Sequence, residues 1–170
     1  LDLEPDCVLG FSDMQADVAS ELIRKGVQVT VFNQRSVQEI FSVLQHIAAL
    51  VGCSETAARW LQTVGTHLEA AEAASAHWPR RPRVYFEEWD EPAISAIRWV
   101  SELMRMAGGD DCFPELALQS MGRDRILADP QTVVQRNPDI IIGSWCGKKF
   151  RPEKVAARPG WEAVSAVRDG

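Results

Sequence analysis

Apolar residues recur along this chain in two alternating rhythms. Short apolar runs at Cys7 to Phe11, Val27 to Phe32, Arg83 to Glu88 and Ile140 to Gly143 read as buried strands. Between them the spacing becomes helical. Val18, Leu22 and Ile23 share one face of a helix from Met14 to Lys25, capped by Ser12-Asp13 and stopped by Gly26. Ser36 caps a second helix, in which Val37, Ile40, Phe41, Leu44, Ile47, Ala48 and Val51 recur in steps of three and four before Gly52 closes it. Strand and helix alternating through tight connections predict a parallel, helix-covered sheet.

A different element follows. From Ser54 to Trp78 the residues Ala57, Leu61, Val64, Leu68 and Ala71 mark one amphipathic helix, ended by Pro79. Its length of about 36 Å exceeds what covering a small sheet requires, so it reads as a spacer between two lobes. The alternation then resumes: the Arg83 to Glu88 strand, a helix from Ser95 to Ala107 closed by Gly108-Gly109, a loop with Pro114, and a short strand at Arg125 to Ala128. Asp129-Pro130 opens another helix, and Pro138-Asp139 introduces the Ile140 strand. The fold class is α/β, divided as a partial first lobe (1–53), a connecting helix (54–79) and a second lobe (80–170).

One internal echo organises the chain. EPDCVLGFSD (Glu4 to Asp13) and NPDIIIGSWC (Asn137 to Cys146) share Pro-Asp, three apolar residues, a glycine and a nearby aromatic. Ligands of open parallel sheets bind beyond the carboxyl ends of the strands. The echo therefore places Phe11 and Trp145 at comparable strand ends, facing a shared cleft.

Composition narrows the function. The chain has 170 residues, 46% apolar and 25% charged, with a net charge of −6 and a pI near 5.1. That balance argues against a nucleic-acid partner, and the basic runs Arg80-Arg81-Pro82-Arg83 and Lys148-Lys149 are too short to reverse it. The four cysteines, Cys7, Cys53, Cys112 and Cys146, form no metal-type pair and read as small buried or half-buried thiols, with disulfides left open. No apolar run approaches a membrane span, and no signal-peptide pattern opens the chain. The chain opens at Leu1 and closes at Asp169-Gly170 in the manner of a fragment, which leaves compartment undecided.

Candidate chemistry concentrates in two stretches. In GSWCGKK the glycine spacing fails the phosphate-loop pattern. A nucleophilic Cys146 would need a base, and His46, His67 and His77 all fall inside predicted helices, spaced too far apart for metal ligands. In YFEEWDEP (Tyr85 to Pro92) four carboxylates surround Trp89. Three readings stay open for it: acid–base chemistry, a solvated loop, or a ligand wall to which Arg98 and Trp99 contribute.

The ordered segments PDCVLGFSDMQADVASEL, VTVFNQRSVQEI, the long helix, RPRVYFEEWDEP, MAGGDDCFPEL and DPQTVVQRNPDIIIGSWCG resemble the helical-backbone substrate-binding proteins of ABC importers. These carry cobalamin, siderophores or heme, and the cobalamin-binding branch is the most similar. The resemblance covers nearly the whole chain. It implies two Rossmann-like lobes joined by one rigid helix, with a corrinoid or iron chelate held between them as transported ligand. It further implies an ABC permease as partner, a periplasmic or membrane-anchored extracytoplasmic location, no covalent cofactor and no enzymatic activity.

Residue by residue, Phe11 matches an aromatic that packs on the corrin ring. The ligand-binding set expected here is Phe11, Gln34, Arg35, Glu88, Trp89, Trp99, Trp145 and Lys148. Asp17 falls where the family presents a glutamate to the permease; the second-lobe counterpart falls on Gln131, with Asp129 as a substitute charge. A further cleft aromatic of the family falls near Arg125. The family's opening strand and helix and its closing strand and helix have no match, so the first lobe is expected to be incomplete, with exposed sheet edge favouring self-association. Two other readings remain: an enzyme using the Glu87 to Glu91 carboxylates on a small polar substrate, and a truncated relative serving only as an interaction module.

Overall fold

The computed structural model describes residues 3–169, and these divide between two compact units, Leu1–Ala57 and Ala58–Gly170. In the first unit β1 (Val8–Phe11) and β2 (Val29–Phe32) pair in parallel, Val8 opposite Val29 and Phe11 opposite Phe32. A 3-10 turn at Asp13–Gln15 and helix α1 (Ala16–Arg24) connect them. The predicted Met14 helix therefore starts later, because Ser12 accepts the Met14 N–H and closes a tight turn first. Helix α2 (Val37–Leu50) begins with a complete capping box: Ser36 Oγ accepts the Glu39 N–H and Glu39 reaches back to the Ser36 N–H.

Helix α3 (Ser54–Ser75) is shorter than expected and leaves His77 in the turn that follows. At its end Ser75 Oγ donates to the Met106 carbonyl at 3.3 Å. Gly108 sits against this junction at φ 93°, where a Cβ would lie 2.5 Å from that of Ser75 and 2.8 Å from the Trp78 ring. Only glycine meets both constraints.

The second unit is built on β3 (Arg83–Asp90). β6 (Ile140–Gly143) pairs with it in parallel along one edge; β5 (Asp110–Asp111, parallel) and β4 (Ala93–Ser95, antiparallel) share the other. The expected helix from Ser95 is corrected here. The chain turns at Glu91-Pro92 and returns along β3, so Ser95 is a strand residue and helix α4 runs Arg98–Met106. The expected Arg125 to Ala128 strand is also corrected: a 3-10 turn occupies Gly122–Arg125, and only a single bridge, Ile94 to Ile126, follows. Pro114 lies at the start of a short helix, α5 (Pro114–Ala117), where its fixed φ suits the first turn. Helix α6 (Gln131–Arg136) precedes β6, and α7 (Pro152–Ala156), a 3-10 turn (Trp161–Ala163) and α8 (Ser165–Arg168) follow it.

Successive residues of β3 point to opposite faces. Val84 packs with Ala96, Val100 and Met104, and Phe86 lies against that cluster. Tyr85 enters the larger core with Phe113, Val133, Trp145, Val155, Trp161 and Val164, and Glu87 is fully buried on the same face. The register of β6 is pinned by Asp139. Its carboxylate accepts from Arg80 NH1 and from the Arg83 backbone N–H, both at 2.7 Å, and its own N–H donates to the Arg83 carbonyl. Asp6, in the matching Pro-Asp of the first unit, is exposed.

The Arg80 hydrogen bond, followed by that of the Arg83 N–H, holds the Asp139 carboxyl down at about 2, against the usual 3.8. A depressed acid stabilises the fold above its unfolded pKa and loses that contribution as pH falls through the folded value. Solvent around Arg80 limits the effect to about 1 kcal/mol. Asp139→Asn should therefore lower the unfolding free energy from urea titration at pH 7 by that amount, and the gap to wild type should close between about pH 4 and pH 2.

Candidate functional site

The first cluster stands at the carboxyl ends of β1 and β2. Phe11, the last residue of β1, is 44% exposed. It stays at the surface because Ser12 turns the chain at φ 67°, ψ 162°, a region that non-glycine residues rarely occupy, while its N–H donates to the Phe32 carbonyl at 2.7 Å. The Phe11 N–H is taken by Gln15 Oε1. Arg35 lies over the Phe11 ring with its guanidinium carbon 5.1 Å from the centroid. Glu39 accepts the backbone N–H of Arg35 at 2.6 Å, so the loop after β2 is fixed by the helix that follows. Gln34 Oε1 and Arg35 Nε are buried without a hydrogen-bond partner. A cavity of about 290 Å³ adjoins Gln34, bordered also by Asn33, Glu39, Ser42 and His46.

The second cluster stands near the carboxyl end of β3. Lys148 Nζ sits 3.8 Å from the centroid of the half-buried Trp89 ring and is paired with Asp90. That hydrogen bond holds the Asp90 carboxyl below its ordinary range against the opposing effect of burial. Trp89 Nε1 donates to the Glu91 carbonyl at 2.9 Å. Trp89 and Lys148 are thus brought together, as are Phe11, Gln34 and Arg35.

The other expected ligand residues are placed differently. Trp145 is 5% exposed and belongs to the core, with Nε1 donating to Glu87 at 2.9 Å and Phe150 edge-on at 5.1 Å. Glu88 is half-buried and faces Arg125, which donates to it at 2.6 and 3.2 Å. Arg125, expected near a cleft position, is a buried staple that also donates to the Ser95 carbonyl. Trp99 lies apart on α4, edging an apolar groove of about 500 Å³ with Trp78, Phe86, Ile140 and Ile142. Asp17 is exposed in the first turn of α1. Asp129 is exposed and accepts the Gln131 N–H, and the Gln131 amide donates to the Pro159 carbonyl.

The acidic run does not assemble a catalytic pair. Glu87 is enclosed by four donors: Tyr85 Oη (2.8 Å), Trp145 Nε1 (2.9 Å) and both terminal nitrogens of Arg158 (2.6 and 2.9 Å). Glu88, where the pairing of β3 with β4 shifts register, meets Arg125, Asp90 is held by Lys148, and Glu91 is exposed in the turn. Burial, and after it the neighbouring Glu87 carboxylate, pushes the Tyr85 hydroxyl far up, so it remains a donor. The four cysteines are free, and burial raises the Cys112 thiol to about 11. Among the described residues no group of histidine, cysteine and carboxylate side chains is arranged to hold a metal ion. No sequence pattern around Arg158 marks its partner 71 residues earlier.

The model of one family, the periplasmic binding proteins, matches residues 1–170. The chain belongs to that family. No curated protein matches at a significant level. Among solved structures, a periplasmic heme-binding protein from Pseudomonas aeruginosa superposes with a TM-score of 0.81 at 18% identity, over 99% of this chain and 62% of its own. A periplasmic heme-binding protein from Roseiflexus sp. RS-1 gives 0.80 at 18% identity, over 99% and 66%. A possible iron-binding periplasmic solute-binding protein from Staphylococcus epidermidis gives 0.76 at 18%, also over 99% and 66%. These likenesses establish the fold, and the chain spans no more than about two thirds of the length of these neighbours.

In this periplasmic binding protein Arg158→Met strands the buried Glu87 carboxylate and should destabilise the fold by about 3 kcal/mol. The double variant Glu87→Met/Arg158→Met should recover part of that loss, whereas Lys148→Met, which takes a half-exposed ammonium from a single hydrogen bond to Asp90, should cost less than Arg158→Met. Urea midpoints of the three variants check the order.

Proposed function

We propose that this chain is the substrate-binding component of an ABC importer and that it carries a metal macrocycle or chelate of the heme class. The observation that carries the proposal is that each unit ends its strands in an aromatic ring backed by a cation, Phe11 with Arg35 and Trp89 with Lys148. Aromatic faces suit a flat conjugated ligand, and flanking cations suit its polar periphery. The family and the heme-binding names of structural neighbours support this class. A corrinoid is the second reading, favoured by the place of Phe11 in the cobalamin-like sequence pattern.

In this reading Trp145 supports the wall from behind, Glu88 positions Arg125, and Trp99 is peripheral to the ligand. Asp17 is the charge offered to a permease from the first unit, and Asp129 with Gln131 is the corresponding patch of the second. The location is extracytoplasmic, and no helix among the described residues is long and apolar enough to cross a membrane.

Titration with hemin and with cyanocobalamin, followed by the Soret or corrin band and by tryptophan quenching, tests the proposal. Micromolar binding of at least one is expected, with Phe11→Ala and Trp89→Ala each weakening it about tenfold. Absence of binding by both at about 100 μM, a level at which even weak sites fill, would overturn it.

A further inference from the structure

Two cations stand beside aromatic rings at the strand ends, and they differ in how they are neutralised. Lys148 is paired with Asp90, so that cluster is balanced internally. Arg35 is not balanced. Among the described residues its guanidinium makes one hydrogen bond, from NH1 to the Gln34 carbonyl at 3.4 Å, and its Nε is buried without an acceptor. Among the described residues no carboxylate forms an ion pair with it. The carboxylate next to it in the chain is committed elsewhere: Glu39 accepts the backbone N–H groups of Arg35 and Ser36. Beside it Gln34 Oε1 is a second buried polar atom without a partner.

A guanidinium that is partly desolvated, stacked on an exposed ring and left without an acid is organised to receive one. Its planar fork matches a carboxylate in two parallel hydrogen bonds. The immobilisation is already in place, because the loop is fixed by the α2 capping box and the side chain by Phe11.

We propose that Arg35, flanked by Gln34 and Phe11, forms a carboxylate-reading subsite of the first unit, so that the protein selects ligands with ionised acid groups on their periphery over ligands with neutral amides. The inference rests on the macrocycle reading above and sharpens it. Phe11 supplies the face on which the ring system lies, and Arg35 supplies the charge that meets the acid at its rim. An amide at that rim meets Arg35 with its carbonyl oxygen alone, giving up the second hydrogen bond and the charge attraction.

The test titrates the 170-residue chain and its Arg35→Gln variant with hemin, hemin dimethyl ester and cyanocobalamin. The expected result is hemin binding by wild type, with the ester weaker by roughly tenfold to a hundredfold and cyanocobalamin no tighter than the ester. In Arg35→Gln the difference between hemin and ester should fall to within about twofold, and far-ultraviolet dichroism should match wild type. Equal affinity of wild type for hemin and ester overturns the subsite and leaves the macrocycle proposal standing. So does a hemin preference that survives in Arg35→Gln, or cyanocobalamin binding tighter than hemin. Absence of binding by all three probes overturns both.

Discussion

The second unit depends on one carboxylate placed where a charge is expensive. Glu87 is fully buried in the middle of the central strand, and withdrawing an ionised carboxylate from water costs several kcal/mol. Four donors from three side chains offset that cost, two of them from a guanidinium in bidentate geometry. The consequence is long-range. Glu87 binds Arg158 across 71 residues and Trp145 across 58, so one side chain of β3 fixes both the loop after β6 and the turn before the last helices. Lys148 lies three residues beyond Trp145 in that loop. Its position over Trp89 follows from the anchoring of the indole on Glu87.

The neighbouring residue repeats the device. Glu88 stands where the pairing of β3 with β4 shifts register, and it meets Arg125, whose own side chain is almost wholly buried. Two adjacent glutamates thus tie one strand to two arginines remote in sequence. Side chains so committed make this part of the acidic run a scaffold of the second unit.

Local rules account for what the sequence shows. The strand cores, the Ser36 cap and the glycine stops all rest on contacts within a few residues, and these are found where expected. Elements set by distant contacts were not legible. Ser95 has the chemistry of a helix cap, yet pairing with Glu87 holds it in a strand. Arg125, Arg158 and Trp145 owe their burial to partners 37 to 71 residues away, for which the sequence carries no local signal. The echo of PDCVLGF in PDIIIGSW also misled in a specific way. In the first copy the aromatic follows the glycine directly; in the second it stands one residue later. On an extended backbone that single step moves a side chain to the opposite face, and so Phe11 is exposed while Trp145 is buried. Gly143 shows the same difference: a Cβ there would fall 1.8 Å from the Phe150 ring that packs on Trp145.

The two units therefore reach similar surface chemistry by unequal means. In the second, an aromatic beside a cation lies next to a dense core, and that cation, Lys148, has its counter-charge in Asp90. In the first, the sheet has two strands, a size that is marginal alone, and its apolar residues Leu9, Phe11 and Val31 are exposed. Order there comes from hydrogen bonds at the turns: Ser12 held in a strained conformation against Phe32, and Glu39 holding the loop of Arg35. A strained turn and an unbalanced cation are costly to maintain, and neither adds to the packing of this small unit. Under the proposed carboxylate-reading role of Arg35, both costs would fall when a flat, acid-bearing molecule covers Phe11 and meets that guanidinium.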